Sequence, residues 1–147
     1  MKPIYKYLST KIKNSNIKAT NKDFVHILIT EIKRLGPDAD LNHIDVSDVT
    51  NMYDPFYWNN EHFNCDISKW NVSNVTMMQE MFLNCVKFNC DISEWDVHNV
   101  KNMSKMFYKC TSFNQDLSSW DVSNVINNVD MFGGMPLREE YKPHFVK

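Results

Sequence analysis

"FNCDISEWDVHNVKNMSKMFYKC" occupies Phe88–Cys110, and the stretch before it, "FNCDISKWNVSNVTMMQEMFLNC" at Phe63–Cys85, says nearly the same thing. Aligned on tryptophan, the copies begin at Trp70, Trp95 and Trp120, a step of 25 residues taken twice. A fainter copy starts at Ile44, "IDVSDVTNMYDPFYWNNEHFNCDISK", with one extra residue between Met52 and Phe63. The copy at Trp120 is cut short at "WDVSNVINNVDMFGGMPL". Periods of about 20 to 29 residues belong to chains in which each copy adds a short strand and a return segment, and stacking of neighbours creates the core.

The apolar spacing inside one copy has two parts. Ile92, Trp95, Val97 and Val100 follow the spacing of a short strand lining one side of a horseshoe, and Val100, Met103, Met106, Phe107 and Cys110 then recur at the three- and four-residue steps of a helix face. The expected fold class is therefore α/β repeat: a short leucine-rich-repeat-like solenoid of about four coils with an N-terminal capping helix, successive coils being about 4.8 Å apart. Ladders such as Trp70, Trp95 and Trp120, or Phe82, Phe107 and Phe132, are expected in the core, not as ligand platforms. Asp66, Asp91 and Asp116 read as turn caps, because a calcium loop needs several carboxylates in one short stretch and each copy offers one there.

The flanks suit lids for an open-ended stack. In "TNKDFVHILITEIKRLG" the cap-like Thr20 and Asn21 precede Phe24, Ile27, Leu28, Ile32 and Leu35 at helical spacing, and Gly36 and Pro37 stop the run. An amphipathic helix of about 14 residues is expected across the first coil. The expected organisation is a basic N-terminal segment with the capping helix (1–37), the repeat solenoid (38–137) and a polar C-terminal cap or tail (138–147). Two lids on so short a chain suit a complete small protein. For Ile4–Thr20, a strand pair and a basic arm are both left open.

Composition narrows the functional classes. With 43% hydrophobic and 13% aromatic residues in 147, one folded core is the default. Residues 1–36 hold eight basic and two acidic side chains, residues 37–137 hold five and fourteen, and residues 138–147 hold three and two, summing to the net −2. Scattered lysines without an arginine cluster mark a solvated face, so no nucleic-acid partner is expected. No apolar run reaches the ~18 residues of a membrane span, and "MKPIYKYLSTKIK" has no export signal, so membrane insertion is not expected and the default compartment is cytoplasmic. Three glycines build no phosphate-cradling loop, and GxSxG, HExxH and Walker motifs are absent. The five histidines are scattered, so no catalytic residue, cofactor or metal is expected and the chain reads as a non-enzyme.

The cysteines fall on two ladders, Cys65 with Cys90 and Cys85 with Cys110. Cys85 and Cys110 belong to the apolar face as small core residues, whereas Cys65 and Cys90 share their slot with Gln115 and read as the more exposed pair. No CxxC pair is present for zinc, and free thiols are the default in a chain without an export signal.

The unit W-[DN]-V-[SH]-N-V…M-x-x-M-F-x-x-C-x-x-F-N-x-D-[IL]-S resembles the repeat of BspA-like leucine-rich-repeat surface proteins over roughly Asp40–Leu137. The resemblance implies a solenoid that binds proteins, in the best-known members as a secreted adhesin, and hence a cell-surface location. This chain departs from that pattern in having no signal peptide or lipid-anchor cysteine near its start.

A protein partner is thus expected, with the chain a monomer or small homo-oligomer. The candidate contact residues are those facing outward between apolar strand positions: Lys69, Asn71 and Ser73; Glu94, Asp96 and His98; Ser119, Asp121 and Ser123. Tyr57 and Trp58 in the swollen first coil join them as anchor types enriched at interface hot spots. The alternative is a structural protein that assembles into a homo-oligomer.

Overall fold

The computed structural model describes residues 16–146, so Ile4–Ser15, most of the segment left open between strand pair and basic arm, lies outside the described residues. In chain order the described residues form β1 (Ile17–Lys18), α1 (Phe24–Leu35), β2 (Ile44–Asp45) and one turn of 3₁₀-helix (Glu139–Tyr141). β1 and β2 pair in parallel, with Ile17 opposite Ile44 and Lys18 opposite Asp45.

This corrects the expected fold class. The α/β leucine-rich-repeat-like solenoid of about four coils is not formed: between β2 and Glu139 there is neither a strand nor a helix, only turns and single-residue bridges. Two local causes are visible. The segments expected as return helices contain Glu80, Asn84, Lys105 and Lys109 at φ of 57°, 59°, 53° and 59°, which a right-handed helix cannot accommodate. The segments expected as strands carry Asn, Asp and Ser side chains that close tight turns on their own backbone. Asn71 Oδ1, for example, accepts from Ser73 N–H at 3.1 Å and Oγ–H at 2.7 Å.

Residues one copy apart are nevertheless in contact. Single parallel bridges join Asn51 to Met77, Met77 to Asn102 and Asn102 to Asn127; each bridged segment is called a row below. Two motif side chains reach back to the preceding copy. Trp70, Trp95 and Trp120 donate Nε1–H to the carbonyls of Leu41, Ile67 and Ile92 at 3.0, 3.2 and 3.2 Å. Asn74, Asn99 and Asn124 donate Nδ2–H to Ser47, Ser73 and His98 carbonyls at 2.9, 2.7 and 2.7 Å. Each such bond is worth about 1 kcal/mol, and more is lost when a buried partner is stranded.

The core is dominated by aromatic packing. Phe82, Phe107 and Phe132 stack with centroids 5.4 and 5.7 Å apart, and Trp70 stacks on Trp95 at 6.4 Å. Phe63, Phe88 and Phe113 form a parallel series at 5.5 and 5.7 Å. Such pairs add about 0.5–1.5 kcal/mol beyond simple burial. Met78, Met81, Met103, Met106 and all of these rings except Phe132 are buried.

α1 closes the start of this core. Phe24, Leu28 and Ile32, four residues apart, share one face and are buried, with Phe24 edge-on to Trp70 at 5.7 Å. Lys33 and Arg34 suit the negative C-terminal end of the helix, and Gly36 at φ 101° ends it. Thr20 and Asn21 do not cap α1 in the expected way: Asp23 Oδ1 accepts from Thr20 N–H at 2.6 Å, while Asn21 turns to Thr50. On the buried face, Glu31 is 3% exposed and sits between Arg34 (Nη2–Oε2 2.6 Å) and His43 (Nε2–Oε2 2.6 Å). Burial raises the Glu31 pKa, but the hydrogen bonds from Arg34 and His43 outweigh it and hold the carboxyl below its ordinary value.

Candidate functional site: the final row

The outward positions expected to contact a partner are exposed or half-buried, and they are tied up locally. Asp96 accepts from His98 N–H at 3.2 Å and meets His98 Nδ1 at 2.6 Å; Asp121 accepts from Ser123 N–H at 3.1 Å and Oγ–H at 2.6 Å. Lys69, Glu94 and Ser119 are exposed between these turns. Asp96 is lowered chiefly by the His98 hydrogen bond and Asp121 by the Ser123 hydroxyl, so both stay ionised. Asp96 and Asp121 both lie close enough to His98 to feel its charge, and Asp96 also feels that of Asp121. Tyr57 is 61% exposed, whereas Trp58 is half-buried against the core with its Nε1–H donated to the Pro55 carbonyl at 3.2 Å.

The cysteine ladders carry little chemistry. Cys65, Cys85 and Cys110 are buried and Cys90 is half-buried, so Cys65 is not the exposed thiol its turn slot suggested. Burial pushes Cys65 up to about 12 and Cys90 up to about 11, which leaves both as neutral thiols. They line a cavity of about 420 Å³ with Asp38, Asp66 and Asp91. Hydrogen bonds from Ser68 and Asn42 hold Asp66 down at about 2, as a turn-closing carboxylate. Among the described residues, no group of three or more His, Cys, Asp or Glu side chains is placed to hold a metal ion.

The site that sequence reasoning missed lies at the end of the series. From one row to the next, N–H groups on alternate residues donate forward: Met78 to Asn102 O, Glu80 to Ser104 O, Phe82 to Met106 O and Asn84 to Tyr108 O, at 2.9 Å each. The next row repeats this, Met103, Lys105, Phe107 and Lys109 donating to Asn127, Val129, Met131 and Gly133 at 2.8–2.9 Å. The corresponding groups of the final row are the N–H groups of Asn128, Asp130, Phe132 and Gly134. None of them has an acceptor among the described residues.

The carbonyls of this row are turned elsewhere. Asn128 O accepts from Met131 N–H at 3.1 Å and Asp130 O from Gly133 N–H at 3.0 Å. Asp130 and Gly134, at φ of 54° and 67°, are left-handed residues of the kind that bring successive N–H groups to one side. The row therefore presents four donors in line, with the carbonyls of Asn128 and Asp130 taken up inside it.

Apolar side chains flank the donors. Ile126 is 86% exposed and Val129 64%, where the preceding copies hold Lys101 and Ser104. A groove of about 650 Å³ separates Asn128–Gly133 from the C-terminal segment, with Phe132 and Phe145 in its lining and Lys142 Nζ 5.7 Å from the Phe132 ring centre. The two unusual apolar residues were the available sequence signal.

One family model matches the chain, described as "Mycoplasma protein of unknown function, DUF285", over residues 11–141. No curated protein and no solved structure matches it. Among the described residues, no helix is long and apolar enough to cross a membrane. The likeness to BspA-like proteins holds at the level of this related family, and neither their specific repeat motif nor an adhesin role follows from the match. With most of its length inside that match, the chain belongs to the DUF285 family.

Proposed function

We propose that the chain is a non-catalytic protein-binding module that receives an extended polypeptide segment along its final row. The observation that carries this is the line of four N–H groups at Asn128, Asp130, Phe132 and Gly134 that have no acceptor among the described residues, bordered by exposed Ile126 and Val129. An exposed backbone edge beside apolar side chains recruits another chain by backbone hydrogen bonds, with neighbouring pockets selecting side chains. The groove of about 650 Å³ lies within the size range of specific ligand sites.

The experiment is a displayed library of extended peptides selected against the wild-type chain, followed by amide exchange on the complex. Enriched peptides should slow exchange at Asn128, Asp130, Phe132 and Gly134, and Val129→Lys should lose them. Enrichment that leaves those four amides unprotected would remove the final row from the reading. The polar positions around Asp96 and Asp121, with Lys69 and Glu94, are the second contact surface in this proposal, supported by their exposure and by the lowered pKa of Asp96 and Asp121. Undiminished recovery by Asp96→Arg would exclude them.

A further inference from the structure

We infer that the partner segment of the final row is not a plain β-strand but another copy of the same 25-residue kind of unit, carried by a different polypeptide whose leading row is uncovered. This rests on the docking reading above and specifies its ligand. Hydrogen-bond complementarity selects such a unit. The two edges that precede the final row each have four forward donors met by four carbonyls that face back, as Asn102, Ser104, Met106 and Tyr108 face Met78, Glu80, Phe82 and Asn84, and the first edge has two, Met52 to Met77 O and Asp54 to Gln79 O. A plain strand offers N–H and C=O from the same residue on the same side. Laid along these four donors, its own N–H groups would face donors and lose water without gaining acceptors.

Face-to-face self-association is disfavoured by the same inventory. Two final rows placed face to face would oppose donors to donors. A second copy stacked head to tail instead meets a lid at its start, where Asn21 Oδ1 accepts from Thr50 and Asn51 N–H at 2.9 and 3.2 Å, β1 pairs with β2, and α1 covers the adjoining core. The fitting partner therefore has the one-sided carbonyls of the unit but lacks such a lid.

The probe is a synthetic peptide with the sequence of residues 99–112, "NVKNMSKMFYKCTS", which supplies those four carbonyls inside the chain. It is titrated into the whole protein with amide exchange and heteronuclear NMR as readouts, beside a plain alternating lysine–valine peptide and inorganic phosphate. The expected result is protection of the four final-row amides by the unit peptide, at least about tenfold tighter than by the alternating peptide, and lost in Val129→Lys. Equal or tighter binding of the alternating peptide overturns this inference while leaving the docking edge intact. Protection by phosphate alone overturns it in favour of an anion nest. Absence of protection by any segment, including library-selected ones, sinks the docking reading itself. Concentration-dependent self-association of the whole chain that Val129→Lys abolishes would overturn the exclusion of a second copy.

Discussion

The two ends of the row series solve the same problem differently. At the start, Asn21 takes the N–H groups of Thr50 and Asn51 on one amide oxygen and returns Nδ2–H to Thr50 Oγ1 at 2.8 Å, while α1 buries Phe24, Leu28 and Ile32. At the finish, the Leu117 N–H finds Tyr141 O at 2.8 Å, and Leu137 and Pro143 are buried, but the N–H groups of Asn128, Asp130, Phe132 and Gly134 meet no acceptor among the described residues. A lid that takes up backbone N–H groups and also buries apolar side chains marks an end of the series that the fold has covered. A cover that satisfies one half and leaves apolar residues beside the other marks an edge kept accessible, and the predictions below probe that contrast.

The largest effect is expected between the two ends, in the shared core. Phe107 is fully buried and stacks on Phe82, Phe113 and Phe132. Phe107→Ala should cost about 3–5 kcal/mol in urea unfolding. If the rows unfolded independently, the transition would split; a single cooperative transition shifted to lower urea is the expected result.

Next in size is the start of the series. Glu31→Ala leaves Arg34 and His43 facing a void on the buried side of α1, at about 2–3 kcal/mol, the partial exposure of both partners keeping the loss below that of a fully buried pair. The pH dependence follows from direction. Because the folded pKa of Glu31 lies below the ordinary 4.5, its contribution is complete above that value and fades as pH falls below it through the folded pKa. Wild type should therefore lose stability on acidification through this window more steeply than Glu31→Ala. Parallel acid profiles would show that the contacts of α1 are apolar alone.

These expectations show what the sequence made legible and what it hid. The 25-residue step is written in Trp70, Trp95 and Trp120 and in Asn74, Asn99 and Asn124, because those side chains donate across one copy length. α1 was legible from Phe24, Leu28 and Ile32 and from Gly36. The strands and return helices were misassigned because spacing alone does not report backbone handedness. Left-handed residues at Glu80, Lys105 and Asp130 carry no glycine signal, yet they exclude a helix and help turn N–H groups outward. The candidate site was hidden because an unmet donor is a property of what comes after it in space. Only Ile126 and Val129, apolar where earlier copies are polar, pointed toward it.

A smaller effect tests the polar half of the lid. Asn21→Ala strands two N–H groups at an exposed edge, so about 1 kcal/mol is expected by thermal unfolding. Faster exchange at Thr50 and Asn51 alone, matching the open amides at Asn128 and Asp130, would make the two ends alike in backbone chemistry. No change at those amides would mean that α1, and not Asn21, is what closes the start.

The smallest stability effect belongs to the open end, and its smallness is the point. Val129 is exposed, its own N–H is held by Asn127 Oδ1 at 3.2 Å and its carbonyl by Lys105 N–H at 2.9 Å. Val129→Lys leaves these backbone bonds intact and removes no buried contact, so the unfolding midpoint should stay within about 0.5 kcal/mol of wild type. A lysine on an edge is nonetheless one of the devices by which proteins keep other chains off exposed backbone. Loss of peptide protection at unchanged stability would separate a surface kept open for binding from one that is merely unfinished. A large destabilisation would instead show that Val129 packs against the fold, which would remove it as a flank of the docking edge.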